Sequence, residues 1–324
     1  MPNRLEKPVF TRLFGGLEKV PFEPDSLLIR GDSAEDRSQY PVGWDAGAAG
    51  VTTLDIVKED PSTIVAEIAG RRVEVQLRSA RAIVDLLTAK RVDIYYLDIT
   101  GLPHHVWAPI LRGLRTLGTP CSVLYAEPVD YRRSLTPTEA TIFDLSERIR
   151  GIAPIPGFAS LASAEDDDAL FVPLLGFEGA RLAFVLEAVQ PKNDSICPIV
   201  GVPGFRAEYP FYTYLGNSAP LKESGAWSNV RFARADCPFS LYQVLSEFSD
   251  RRPGRKIAIA PIGTKPHALG AVLYCLDYPD TTELVYDHPV RKATRTAGTW
   301  RICVYDLRLL PPVRRQSRAD ATAI

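Results

Sequence analysis

The chain has 324 residues, 46% of them apolar and 24% charged, with 38 Lys and Arg set against 39 Asp and Glu. Such a composition excludes a disordered or fibrous protein and leaves room for two domains of ordinary size. The near-zero net charge gives no bulk electrostatic case for a nucleic-acid or membrane partner.

No run approaches the roughly 18 uninterrupted apolar residues of a membrane span. The stretch from Met1 to Val20 also lacks the apolar core and cleavage site of a secretory signal. The five cysteines (Cys121, Cys197, Cys237, Cys275 and Cys303) are odd in number, widely spaced and form no CxxC pair. They read as buried thiols of a reducing compartment, so the expected location is the cytoplasm.

In chain order, 26–30 reads as a strand followed by a polar turn over 31–38. Residues 51–57 and 63–68 alternate apolar and polar positions around Asp60-Pro61-Ser62, the pattern of a hairpin. A short strand at 73–77 precedes a helix over 79–90, with Ser79 placed as its cap. A βαβ unit comes next, with strand 92–97, a turn ending in Pro103, a helix over 104–117 and strand 121–125. Thr136-Pro-Thr-Glu139 has the form of a capping box, predicting a helix to about Arg150. Beyond it lie a Pro-, Gly-, Ala- and Ser-rich stretch and the acidic loop 165–168.

A second βαβ unit comprises strand 170–175, the turn Gly176-Phe-Glu-Gly179, a helix over 180–189 and strand 196–202. Tyr209, Phe211, Tyr212 and Tyr214 read as packing residues between strand and loop, with stacking on a base as the alternative. A short helix over 240–248 leads to a third unit. Its parts are strand 256–260, the turn Pro261 to Pro266, a helix over 267–276 and strand 283–286. A last strand over 300–307 is expected to close a sheet edge.

The first and third units match. Gly101-Leu-Pro-His104 parallels Gly263-Thr-Lys-Pro-His267, and both return strands end in Tyr-x-x-Pro-Val, at 125–129 and 286–290. The match reads as an internal duplication. The expected fold is therefore α/β, two Rossmann-like domains with mainly parallel sheets and a duplicated βαβ unit. The predicted division is an N-terminal domain over 1–133, a helical, Pro- and Gly-rich linker over 134–168, a C-terminal domain over 169–311 and a disordered tail over 312–324.

In open α/β sheets ligands bind beyond the carboxyl ends of the strands. The strongest candidate there is Ala260-Pro-Ile-Gly-Thr-Lys-Pro266. Gly263 permits close backbone approach, Thr264 supplies a hydroxyl and Lys265 a charge, all at a helix start whose free N–H groups suit phosphate. His267 stands within reach of a ligand held at that turn. An ordinary βα turn with an exposed lysine is the plainer alternative. The GxxxxGK[ST] and GxGxxG frames are both missing.

The strand, Gly-Thr-Lys turn and helix over 256–276 resemble the signature turn of CARF domains, the Rossmann-like sensors of cyclic oligonucleotides in prokaryotic defence. That resemblance implies a ligand cleft lined by the turn and commonly shared across a dimer, hence a homo-oligomer. The chain departs from the family in having Pro261-Ile262 where a Thr-Gly pair often precedes the glycine. It also lacks an Arg-x4–6-His ribonuclease motif.

Arg30 and Arg37 flank a strand end as a second candidate anion grip, with Asp32 or Asp36 as the salt-bridge partners that would instead neutralise them. Asp98, Glu127 and Glu178 are candidate catalytic carboxylates if they converge, while capping of the following turn is the alternative for Asp98. No Cys/His spacing supports a metal site, no cofactor is indicated, and no GxSxG elbow offers a hydrolase nucleophile. The leading functional expectation is a protein that binds a nucleotide or other phosphate-bearing small molecule, as a sensor or component of a prokaryotic defence system. An enzyme on nucleotides or phosphorylated metabolites is the rival, and a structural subunit working with a protein partner is the third reading.

Overall fold

A computed structural model describes residues 11–31, 35–41, 44–138, 141–159, 168–308 and 310. The first half contributes β1 (Thr11–Phe14), β2 (Ser26–Gly31), β3 (Val51–Glu59), β4 (Thr63–Ile68), β5 (Arg71–Gln76), α1 (Ala80–Leu87), β6 (Ile94–Asp98), α2 (His104–Leu117) and β7 (Cys121–Glu127). Short strands β8 (Asp130–Tyr131), β9 (Ser146–Ile149) and β10 (Ala153–Pro154) lead into the second half. There β11 (Leu170–Leu174), α3 (Gly179–Val189), β12 (Ile199–Gly201), α4 (Tyr209–Gly216), α5 (Ser218–Glu223) and β13 (Arg231–Ala233) follow. The chain continues with α6 (Pro238–Arg251), β14 (Ile257–Pro261), α7 (Lys265–Asp277) and β15 (Thr282–Tyr286). It ends with β16 (Pro289–Arg291), β17 (Thr296–Ala297) and β18 (Arg301–Asp306).

The two large sheets repeat one plan. The first runs β1-β18-β7-β6-β2-β3-β4-β5 and the second β10-β15-β14-β11-β12-β13. In each, four parallel strands (β3-β2-β6-β7 and β12-β11-β14-β15) are flanked by an antiparallel strand, β18 on β7 and β10 on β15, and β13 adds a fifth parallel strand beside β12 in the second sheet. This is the α/β, mainly parallel architecture expected, and the shared order extends the βαβ match to whole half-sheets.

Strands β6, β7, β11 and β14 are buried at every position, as parallel strands covered on both faces must be. The hairpin strand β4 instead alternates between buried and half-buried residues. Helix α7 is buried from Lys265 to Leu276 and has no polar stripe, because the rest of the protein covers it on all sides. It packs against both α6 and α2, and one apolar core runs continuously through both halves from Leu27 and Trp107 to Leu269 and Ile259.

Three expectations are corrected. The predicted helix over 136–150 does not form: among the described residues the segment is extended, with β9 pairing antiparallel with β16. Burial of Phe143 and Leu145 in tertiary contacts overrides the local capping pattern. The strand predicted over 300–307 closes no edge of the second sheet. As β18 it lies between β1 and β7 of the first. The division at 169–311 therefore fails at its end, because the chain crosses between the halves twice. The two crossings pair with each other, β8 with β17 and β9 with β16. The aromatic stretch after Tyr209 is helix α4.

Glu139, most of the acidic loop and the tail 312–324 lie outside the described residues, as does Asp32. No helix among the described residues is long and apolar enough to cross a membrane.

Candidate functional site

The carboxyl ends of the two parallel cores face each other across the crossing strands, and between them lies a cavity of about 110 Å³. The first half supplies Arg37, His104, Tyr125 and Glu127, and the second supplies Glu178, Arg181, Tyr209 and the Gly263–Lys265 turn. The crossings supply Tyr131, Arg291 and Arg295.

The Gly263–Lys265 turn reaches this cavity, but its groups are engaged within the protein. A Cβ on Gly263 would stand 2.5 Å from the Leu175 carbonyl oxygen and 2.9 Å from that of Leu174. The residue thus allows close approach to the end of β11. Thr264 caps α7, accepting from the His267 N–H at 3.4 Å and donating to the Ala235 carbonyl at 3.1 Å. Lys265 Nζ, expected free to meet an anion, donates to the carbonyls of Ile99, Thr100 (2.5 Å) and Leu102 (2.8 Å) in the turn after β6. Arg291 holds the same turn through Gly101 (3.3 Å) and Leu102 (3.1 Å). Four successive carbonyls of the first half are thereby gripped by cations from the second half and a crossing.

The density of positive charge is the main electrostatic feature. Glu35 is paired with Arg37 and Arg295 at 2.8 Å each, with Arg291 at 3.9 Å, and accepts from the Thr296 hydroxyl at 3.0 Å. Burial works against its charge, but Arg37, Arg295, Arg291 and Lys265 together hold its carboxyl well below the usual range. The same crowding acts in reverse on the cations. Burial, then Arg295, bring Arg291 down to about 10, and burial, then Arg291 and Arg37, hold Lys265 well below an ordinary lysine. Arg181 stands nearby in a bidentate pair with buried Asp287 (2.6 and 2.7 Å).

A different chemistry occupies the corner formed by the end of β7. Glu127 is buried, and its carboxylate accepts from the hydroxyls of Tyr125 (2.7 Å) and Tyr131 (3.2 Å). Burial outweighs the nearby Arg37 and pushes its carboxyl up to about 7. Two further cavity residues carry buried polar atoms with no partner, the hydroxyl of Tyr209 and both ring nitrogens of His104. His104 stacks on Tyr286 at 4.9 Å, and burial, then Lys265 and Arg291, hold its imidazole neutral.

The other sequence candidates are placed elsewhere. Arg30 does not join Arg37: its guanidinium bonds Asp55 at 2.5 Å and lies over Tyr40. Arg37 is buried against Glu35, Tyr125 and the Ala126 carbonyl. Asp98 caps the turn after β6 through the Thr100 N–H (2.8 Å), accepts from Tyr40 and faces a separate groove, so the three carboxylates do not converge. Glu178 lines the cavity while accepting from the Leu145 and Ser146 N–H groups and the Ser146 hydroxyl. His267 is buried behind the turn, bonded to the Arg234 carbonyl at 3.0 Å.

Sequence reading missed Glu35, Arg181, Arg291 and Arg295. The available signal was Arg291-Lys-Ala-Thr-Arg295, a cationic run directly after the second Tyr-x-x-Pro-Val. Among the described residues, no three His, Cys, Asp or Glu side chains gather as a metal site.

No protein-family model matches the chain, and no curated protein sequence matches it. Among solved structures, it is similar to a sugar ABC transporter from Actinomyces odontolyticus, at 12% identity and a TM-score of 0.24, over 80% of this chain and 70% of that one.

Proposed function

We propose that this chain binds a small phosphate-bearing ligand in the cavity between its halves. The observation that carries the reading is a charge imbalance: Arg37, Arg291, Arg295 and Lys265 surround the single carboxylate of Glu35 beside that cavity. Arg37 and Lys265 are buried and Arg291 and Arg295 half-buried; cations so placed without matching anions are costly, and a dianionic phosphate is the group that relieves them. Each half also offers a buried polar side chain without a partner, His104 from one and Tyr209 from the other. A ligand touching both would bridge the halves.

The cavity takes about four water-sized groups at the roughly 30 Å³ each occupies in the liquid. A mononucleotide is larger and would extend through the mouth, so the proposal favours a compact phosphorylated compound. The cyclic-oligonucleotide sensor implied by the CARF resemblance would need Lys265 turned toward the ligand, whereas all three of its donors serve the turn after β6. A dimer is not needed to complete the cavity, since both walls come from one chain.

Calorimetric titration with inorganic phosphate and small phosphate monoesters tests the reading. Binding should weaken at least about tenfold in Arg291→Gln, the loss expected for one charge-assisted contact. Absence of binding by the wild-type protein would overturn it. One observation favours a second reading: a carboxyl near 7 beside a phosphate site suits general acid–base work, which would make Glu127 catalytic. Turnover of a phosphate monoester that vanishes in Glu127→Gln would establish that enzyme.

A further inference from the structure

The Glu127 corner restricts the ligand further, on the premise that the phosphate reading above holds. Both oxygens of this carboxylate are met by phenol hydroxyls, and among the described residues no cation pairs with it directly. The charges that act on it most are Arg37 and Arg301. Of these, Arg37 is committed to Glu35, the Tyr125 hydroxyl and the Ala126 carbonyl. The Lys265–Arg291–Arg295 group acts instead on Glu35 and on the His104 and Tyr286 side of the cavity. One cavity therefore has a cationic group around Glu35 and, beyond Arg37, a second carboxylate that forms no ion pair among the described residues.

Aromatic rings pack beside that carboxylate, and two of them reach it through their hydroxyls. Tyr131, Phe177 and Tyr209 meet edge to face in a closed triangle, with centroids 5.5, 5.2 and 5.9 Å apart. The Tyr125 ring packs on Phe205 at 6.0 Å. The Tyr209 hydroxyl, buried and without a partner, lines the same cavity as Glu127, and its ring meets that of Tyr131, whose hydroxyl donates to the carboxylate. A buried carboxylate that has no ion pair recognises an ammonium group through charge-assisted hydrogen bonds. A free hydroxyl lining the same cavity can accept one of its N–H bonds.

We infer that the ligand is amphoteric: its phosphate meets Arg291 and Arg295, and a primary ammonium group meets Glu127 and the Tyr209 hydroxyl among the tyrosine rings. Without the ligand the buried carboxylate has no cation in direct contact among the described residues. Binding supplies one there and an anion to the cationic group, and a compact aminoalkyl phosphate carries both charges.

The test compares three monoesters of one size by calorimetry: O-phosphoethanolamine, 2-hydroxyethyl phosphate and propyl phosphate. The expected result at pH 8 is at least tenfold tighter binding of the amine than of either other ester, with the advantage lost in Glu127→Gln. A wild-type measurement at pH 5.5 serves as a second arm if that variant misfolds. The amine's advantage should fall there as Glu127, which faces Tyr125, Tyr131, Tyr209, Arg37 and Arg301, takes up a proton. Equal affinities for the three esters, or an advantage that persists in Glu127→Gln and at pH 5.5, would overturn the inference and leave the phosphate reading standing. Failure of all three esters and of inorganic phosphate to bind would overturn both.

Discussion

Lys265 and Leu102, separated by 163 positions in the chain, meet where the two halves touch, the lysine ammonium donating to the leucine carbonyl at 2.8 Å. With its bonds to Ile99 and Thr100, this makes the lysine a clamp on a buried turn of the opposite half. Replacement by methionine keeps most of the volume but leaves buried carbonyls without donors. Because removal of the buried charge offsets part of that loss, the expected destabilisation is about 2–4 kcal/mol. Urea unfolding monitored by circular dichroism measures it. A surface lysine waiting for an anion would change stability by no more than about 0.5 kcal/mol, and that outcome would refute the clamp.

Gly263 makes a companion case. Its φ is not in the left-handed region, so the requirement for glycine comes from space and not from backbone conformation. In Gly263→Ala the new methyl meets the carbonyl oxygens of Leu174 and Leu175 at the end of β11, which are fixed backbone and cannot move aside as a side-chain end would. A loss of about 1–3 kcal/mol is expected from this overpacking. Ligand affinity should weaken with it, because the turn also lines the cavity. An alanine variant as stable as the parent would show that the turn has room to shift.

These two residues also mark how far the sequence could be read. Period and turn chemistry located nearly every strand and helix of the parallel cores, from β2 to α7, because burial on both faces leaves continuous apolar runs. The matched Tyr-x-x-Pro-Val ends pointed to the repeated half-sheet. Where tertiary contacts decide, the local signal misled: the Thr136 capping pattern gave way to an extended crossing, and the 300–307 strand joined the other sheet. Sequence singled out Gly263, Thr264 and Lys265 at the right place in space. It could not reveal that the lysine is answered by carbonyls 163 to 166 positions away, since backbone acceptors leave no trace in residue identity. Nor could it bring Glu35 to Arg295, 260 positions apart.

Acid should loosen the protein through His267. Burial brings its imidazole down to about 4 from 6.5, and its hydrogen bond to the Arg234 carbonyl recovers only part of that shift. The unfolded chain therefore binds this proton first as pH falls. The contribution is present in full above about 6.5 and is lost on descent through 4, by about 3 kcal/mol in all. His104, held neutral by burial and by Lys265, adds in the same direction. A His267→Gln variant should be less stable at pH 7 and show a shallower decline between pH 6.5 and 4. Parallel declines for the two proteins would exclude His267 as the source.

Glu127 works the opposite way along the pH scale. Its folded value, about 7, lies above the ordinary 4.5, so the folded protein holds this proton where the unfolded chain has released it. The stabilisation it gives is complete below about 4.5 and is withdrawn as pH rises through 7, on the order of 3 kcal/mol in total. In Glu127→Gln the side-chain amide still accepts from one tyrosine hydroxyl and carries no charge to desolvate. The variant should therefore match the parent near pH 4.5 and exceed it at pH 8, by up to about 3 kcal/mol less whatever the lost Tyr131 contact costs. Bound aminoalkyl phosphate should abolish that advantage, because an ammonium beside the carboxylate removes the reason for holding the proton. Unfolding midpoints of both proteins at pH 4.5 and 8, with and without O-phosphoethanolamine, decide the matter. A variant less stable than the parent at pH 8 without ligand would mean that the carboxylate is already ionised and satisfied by Tyr125, Tyr131 and Arg37, and the cavity would then have no vacancy for a ligand cation.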